Sequence, residues 1–177
     1  MITDEVTSQV TILPVSISAI FDAPNAAHLI RAYAKACIVP DAAPQRYLYE
    51  AMDRAGIFHC FAAYVDEAVG EPDTPESAPH LRLVGFASVI CSIMPHDGHL
   101  VATLGEMFVD PPYRSLGADG LLMSAMEEKA EALGARCFVC LARTGSAYDK
   151  VLSRRTGFTQ THSQYTKWLN GYKGGRS

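Results

Sequence analysis

The chain has 177 residues, 49% of them apolar and 19% charged, with a formal net charge of −4. That composition belongs to a folded globular chain rather than a disordered one, and the length suits one domain whose core needs no metal or disulfide staples. No apolar run nears the ~20 residues that cross a bilayer, and the opening MITDEVTSQV has no basic region followed by an apolar core, so neither a membrane span nor a secretory leader is expected.

A cytoplasmic chain is therefore the expectation, and cysteine usage agrees with it. The five cysteines are an odd number in apolar surroundings, as reduced core thiols would be. Cys137 and Cys140 have a metal-like spacing, but RCFVCLA reads as a buried strand, where residues three apart face opposite sides. No metal is expected. Charge is unevenly spread, because residues 136 to 177 hold eight Lys or Arg against the single acid Asp149. That basic third reads either as a solvated face or as the side that meets a phosphate.

In chain order, residues 1–10 are expected to be disordered, and TILPVSISAI (11–20) reads as an opening strand. Asp22 ahead of Ala-Pro is a candidate N-cap, and Ala26, Ile30, Tyr33 and Cys37 recur at helical spacing. After the break PDAAP, Tyr47, Leu48, Ala51, Met52 and Ala55 suggest a second helix ending at Gly56. FHCFAAYV (58–65) is a strand by its aromatic and β-branched content. The stretch from Asp66 to His80, with three prolines and five acids, reads as a mobile loop inside a hairpin. LRLVGFASVICS and LVATLGEMFV then make a second hairpin across Pro95-His96-Asp97-Gly98.

From Gly117 the residues Leu121, Leu122, Ala125, Met126, Lys129, Ala130 and Leu133 form a helical stripe closed by Gly134. RCFVCLA is the next strand, Ser146 to Thr156 a helix stopped by Gly157, and HSQYTKWL a final alternating strand. The order is strand, two helices, three strands, helix, strand, helix, strand. It predicts an α/β layer architecture in which a mixed, mostly antiparallel sheet is flanked by about four helices.

The most telling stretch is GEMFVDPPYRSLGADGLLM (105–123): strand, Pro-Pro stop, Arg-x-x-Gly loop, helix start. Free backbone N–H groups and the helix dipole meet at such a junction, which suits an anion such as a phosphate. Val109, Pro111, Tyr113, Arg114 and Gly117 stand in the register Val-x-Pro-x-Tyr-Arg-x-x-Gly. This resembles motif A of the GNAT (GCN5-related N-acetyltransferase) family, and the element order extends the resemblance over residues 11–169, with 170–177 a flexible tail. The pattern is also similar to GNAT-like proteins carried by phages and prophages.

The resemblance implies an enzyme that uses acetyl-CoA as co-substrate and acetylates a primary amine, on a small molecule or on a protein. Backbone N–H groups of Ser115, Leu116, Gly117, Ala118, Asp119 and Gly120 would hold the pyrophosphate, and Met107, Phe108 and Val109 would pair with the pantetheine arm. Asp119 occupies the place of the family's second glycine. Of Arg143, Lys150, Arg154 and Arg155, one or two, Arg143 first, would contact a cofactor phosphate, and the rest would form a solvated helix face. Glu106, alone in an apolar strand, is the candidate base, with His96 and His99 as alternatives. For the thiolate donor the family pattern Leu-Tyr-x-x-x-Gly-Phe is matched by Leu152 through Phe158 with Ser153 in the tyrosine position; Ser153, Tyr148 and water all remain candidates. These two departures leave a second possibility, a GNAT-fold binding or assembly protein without turnover. No feature points to nucleic acid or a membrane as partner, and the C-terminal strand with Trp168 is a candidate homodimer contact.

Overall fold

The computed structural model describes residues 9–36, 44–67 and 80–161. Five strands form one sheet in sequential order: β1 (Val10–Val15), β2 (Phe58–Glu67), β3 (His80–Ile93), β4 (Leu100–Val109) and β5 (Cys137–Val139). All neighbours are antiparallel except β4 and β5, which run parallel. The helices are α1 (Ile17–Asp22), α2 (Ala26–Ala36), α3 (Arg46–Arg54), α4 (Ala118–Ala132) and α5 (Ala147–Leu152), with a 3-10 helix at Pro111–Leu116. The expected mixed, mostly antiparallel sheet flanked by helices is present, with five α-helices among the described residues.

Alternation along the strands divides the core into two layers. Phe58, Cys60, Ala62, Leu83, Phe86 and Phe108 face the N-terminal helices, packing with Ile17, Ile20 and Leu29. Phe61, Ala63, Val84, Val89 and Ala102 face the other way, onto Leu122, Met126 and Ala130 of α4. Two register shifts interrupt the sheet, one between Ala63 and Tyr64 against β3, the other between Ala87 and Val89 against β4. In the second, Gly105 and Glu106 share a place opposite Ser88, which is a β-bulge in β4.

The N-terminal region departs from expectation. The strand expected over 11–20 ends at Val15, because Ser16 caps a helix by accepting the Ala19 N–H at 3.3 Å. Ile17 and Ile20, three apart, both enter the core, as a helix allows and a strand does not. Asp22 is not an N-cap: it is the last residue of α1, and Arg46 donates to both its carboxylate oxygens at 2.7 and 3.2 Å. The second helix ends before Gly56 as expected, but its inward face is Tyr49 and Met52, while Tyr47 and Leu48 are exposed.

Elsewhere the boundaries shift less. Phe58–Glu67 and His80–Ile93 pair as the expected hairpin, and the loop expected between them falls on residues 68–79, outside the described residues. The turn at 95–98 closes through the Gly98 N–H on the Met94 carbonyl at 2.8 Å, with Gly98 at φ +70°. Leu121 and Leu133 are exposed, so the buried stripe of α4 is narrower than expected: Ala118, Leu122, Met126 and Ala130, with Met123 beside it. The helix expected over 146–156 stops at Leu152, and the strand expected over 136–142 pairs only from Cys137 to Val139. The final strand with Trp168, Cys37, the outermost residues of the N-terminal segment and the C-terminal tail lie outside the described residues.

Candidate active site

Glu106 owes its place to the bulge. An extra residue in β4 leaves the Glu106 N–H without a partner in the β3 ladder, and the Ser88 hydroxyl oxygen accepts it at 2.9 Å. The same hydroxyl donates to Glu106 Oε2 at 2.6 Å. Glycine at 105 makes room, since a Cβ there would lie 2.5 Å from Ser88 Oγ. From the opposite layer, the Tyr49 hydroxyl donates to Glu106 Oε1 at 2.9 Å. The Tyr49 ring is held between Phe21 and Phe58, at centroid distances of 6.2 and 5.5 Å. Each oxygen of this half-buried carboxylate is thus fixed by one hydroxyl, and lone pairs remain for a further donor.

The bulge also opens the outer edge of β4. Strand β5 pairs only with Val101, Ala102 and Thr103 and then leaves the sheet. From Leu104 to Val109 no strand among the described residues lies on that side, so this edge of β4 is open to an extended ligand, apart from the Val109 carbonyl that Arg114 takes. Beyond Val109, the Asp110 N–H closes onto the Val84 carbonyl at 2.8 Å and the chain winds into the 3-10 helix. Gly117 then turns it into α4 with φ +74°, a conformation glycine adopts at no steric cost.

Gly117 has no side chain to cap α4, so the N–H groups of Ala118, Asp119 and Gly120 begin the helix without a partner among the described residues. The Gly117 N–H, by contrast, closes the 3-10 helix on the Arg114 carbonyl at 3.3 Å. Ser115 is exposed and Leu116 half-buried against the core. Asp119 lies in the first turn of α4, where acids suit the helix dipole; its side chain is exposed and makes no hydrogen bond among the described residues. Arg114 turns back from the loop, its Nε donating to the Val109 carbonyl at 3.1 Å and its guanidinium 6.0 Å from the Phe108 ring centre. It braces the loop against β4.

The candidate proton donors separate. Ser153 is exposed, with its hydroxyl donating to the Lys150 carbonyl at 3.0 Å. The Tyr148 hydroxyl is buried beside Cys140, and that burial, followed by the Cys140 sulfur, holds its pKa well above the usual tyrosine range. Arg143 is exposed in the loop after β5, as is Arg154 after α5. Arg155, expected near a phosphate, instead ties α5 to α4: its Nε and Nη2 donate to the two oxygens of Glu127 at 3.1 and 3.0 Å. His96 and His99 sit in the turn that starts β4, whereas the glycine loop follows the end of that strand.

Four residues that the sequence did not single out complete the site. Tyr49 and Ser88 hold Glu106, and His28 of α2 places Nε2 3.2 Å from the buried carboxylate of Asp110 at the mouth of the loop. For Ser88 there was a signal, a lone hydroxyl within the apolar run GFASVIC. Among the described residues, no group of three His, Cys, Asp or Glu side chains is placed to hold a metal ion, and no helix is long and apolar enough to cross a membrane.

No protein-family model matches the sequence, and no curated protein matches it either. The fold, however, superposes on solved acetyltransferases. It is similar to a ribosomal-protein-alanine N-acetyltransferase from Brucella melitensis biovar Abortus 2308, with a TM-score of 0.62 at 17% identity over 91% of this chain and 99% of that one. An aminoglycoside acetyltransferase from an uncultured soil metagenomic sample, in complex with trehalose, gives 0.62 at 15% identity over 90% of this chain and 96% of that one. AAC(6')-Iy, in complex with the bisubstrate analog CoA-S-monomethyl-acetylneamine, gives 0.62 at 17% identity over 92% and 99%. The mixed five-stranded sheet with its helices is the GNAT fold. At these identities the likeness is one of fold, and the expected likeness to phage-borne proteins finds no support in it.

Proposed function

We propose that this chain is an acetyl-CoA-dependent N-acetyltransferase that passes an acetyl group directly to a primary amine. One observation carries the reading: the freed edge of β4 runs from the Glu106 bulge straight into a glycine turn whose helix amides have no partner among the described residues. The cradle fits the cofactor, since a Cβ at Gly117 or Gly120 would meet nothing within 4 Å, leaving main chain open to a phosphate. Ala118, Asp119 and Gly120 would hold the pyrophosphate by their N–H groups, with Ser115 and Leu116 beside them. The main chain of Met107 to Val109 would take the pantetheine arm, and exposed Arg143 a phosphate. Acetyl-CoA supplies the activated acetyl group as a thioester.

Glu106 takes the proton from the incoming ammonium, the two hydroxyls on its oxygens keeping the carboxylate aimed while it does so. The excess of acidic residues ahead of residue 136 favours approach of a cationic amine. Solved proteins of this fold act on amines as different as aminoglycosides and a ribosomal-protein alanine, so the acceptor is a small-molecule or a protein amine. Proton delivery to the leaving thiolate falls to water or Ser153, because the Tyr148 hydroxyl is turned inward onto Cys140. A cytoplasmic enzyme that forms a homodimer completes the proposal.

The test is release of free thiol from acetyl-CoA in the presence of an aminoglycoside or of a peptide with an N-terminal alanine. Turnover with either, reduced about 100-fold in Glu106→Gln, is the expected result. Tight acetyl-CoA binding with no thiol release above the blank would favour a second reading, a binding or assembly protein that has kept the cradle and lost turnover. The inward Tyr148 hydroxyl and the Ser153 hydroxyl bonded to its own helix are the observations on that side.

A further inference from the structure

Away from Glu106, an open cleft of about 280 Å3 lies at the junction between β1, α1 and α4. Its wall carries an acid, a base and an imidazole: Asp53 from the end of α3, Lys129 from α4 and His59 from β2. His59 Nε2 is buried and has no hydrogen-bond partner among the described residues. Such an orphaned ring nitrogen costs stability. Burial and then the Lys129 charge lower the His59 pKa, against a smaller opposing pull from Asp53.

A second cavity of about 600 Å3 shares Pro14, Phe61 and Lys129 with the first and continues it along the groove between β1 and α4. Its floor is apolar, formed by Ile12, Pro14, Phe61, Leu121 and Ala125, and Leu121 is 46% exposed. Glu128 stands among its polar lining residues. The two cavities together read as one site with a polar head and an apolar trough.

The charges choose the ligand. A simple anion at the head would face Asp53, and a simple cation would face Lys129; either leaves one charge opposed. A zwitterion satisfies both, and the trough asks for an apolar extension from it. We propose that this is a second binding site, for a free amino acid with a large apolar side chain. Its carboxylate meets the Lys129 ammonium, its ammonium meets the Asp53 carboxylate beside the His59 ring, and its side chain lies between β1 and α4. Asp53 already accepts the Ile17 N–H at 3.1 Å, which fixes that carboxylate at the head of the site. Glu106, Tyr49 and Ser88 take no part in it.

The test is a titration of the full chain with L-phenylalanine, followed by the imidazole NMR signals of His59, which are assigned by their loss in His59→Asn. Saturable movement of those signals by about 10 mM ligand is expected. Phenethylamine, 3-phenylpropionate and glycine each lack one of the three parts and should bind about tenfold more weakly or worse. Lys129→Ala should weaken phenylalanine about tenfold and leave phenethylamine unchanged. Leu121→Asp, at an exposed position, should weaken phenylalanine but not glycine. Unmoved His59 signals, or phenethylamine or 3-phenylpropionate binding as well as phenylalanine, would overturn the proposal.

Discussion

Replacing Ser88 with alanine should damage the site and the fold through one hydroxyl. Ser88 is 3% exposed, and its oxygen both accepts the Glu106 N–H at 2.9 Å and donates to Glu106 Oε2 at 2.6 Å. Without it, the bulge N–H faces a methyl group, at a cost of about 1–2 kcal/mol, and the bond to a half-buried carboxylate is lost at about 1 kcal/mol more. For a chain of this size a loss of about 2–3 kcal/mol corresponds to a Tm lower by about 4–12 °C. Thermal unfolding of wild type and Ser88→Ala reads this directly. The same substitution made in Glu106→Gln should cost about 1 kcal/mol less, since the two side chains are in contact and couple. A Tm within about 1 °C of wild type would refute the claim that Ser88 holds the bulge together.

Gly105→Ala should fail by the same route, because its methyl would displace the Ser88 hydroxyl; a Tm drop similar to that of Ser88→Ala is expected, and an unchanged Tm would show that the bulge can relax. Arg155→Ala removes the two-pronged pair with Glu127 and should lower stability by about 1 kcal/mol in denaturant titrations, with acetyl-CoA affinity unchanged. Arg46 bonds Asp22 and Glu50 and holds both carboxyls below their ordinary values of 3.8 and 4.5. A depressed folded pKa contributes stability above those values that is lost as pH falls below them. The Tm gap between wild type and Arg46→Met should therefore be widest near neutrality and close on acidification; a gap independent of pH would contradict it. Asp119→Asn should tighten acetyl-CoA binding about two- to fivefold at low salt, an advantage that added salt erases.

Much of this architecture is legible in the chain. Alternation in β2 to β4, the Asp-Gly turn at 97–98 and the glycine exit from the 3-10 helix are local signals, and each stands where the residues place it. The first helix was hidden because Ile17 and Ile20 are β-branched and continue an apolar strand; only the capping Ser16 distinguishes it. Asp22 looked like a cap because its sequence neighbours suit one, but a long-range partner, Arg46, claims it. Glu106 was visible as a lone acid in an apolar strand. Its partners were not, because a bulge adds one residue to a strand and leaves no mark in the apolar pattern beyond Gly105 itself. The inward turn of Tyr148 and the pairing of Arg155 with Glu127 depend on how α5 packs against α4, which spacing alone does not specify.

The central claim, that the turn at Gly117 and the first amides of α4 form a cofactor cradle, is most directly tested by calorimetric titration of acetyl-CoA into the wild-type chain and into Gly117→Val. A Kd on the order of 10–100 μM is expected for wild type. The variant should bind at least about tenfold more weakly, since valine strains at φ +74° and its side chain would stand in the open space that the phosphate needs. No heat from wild type at about 1 mM acetyl-CoA, or equal affinity in the two proteins, would contradict the account.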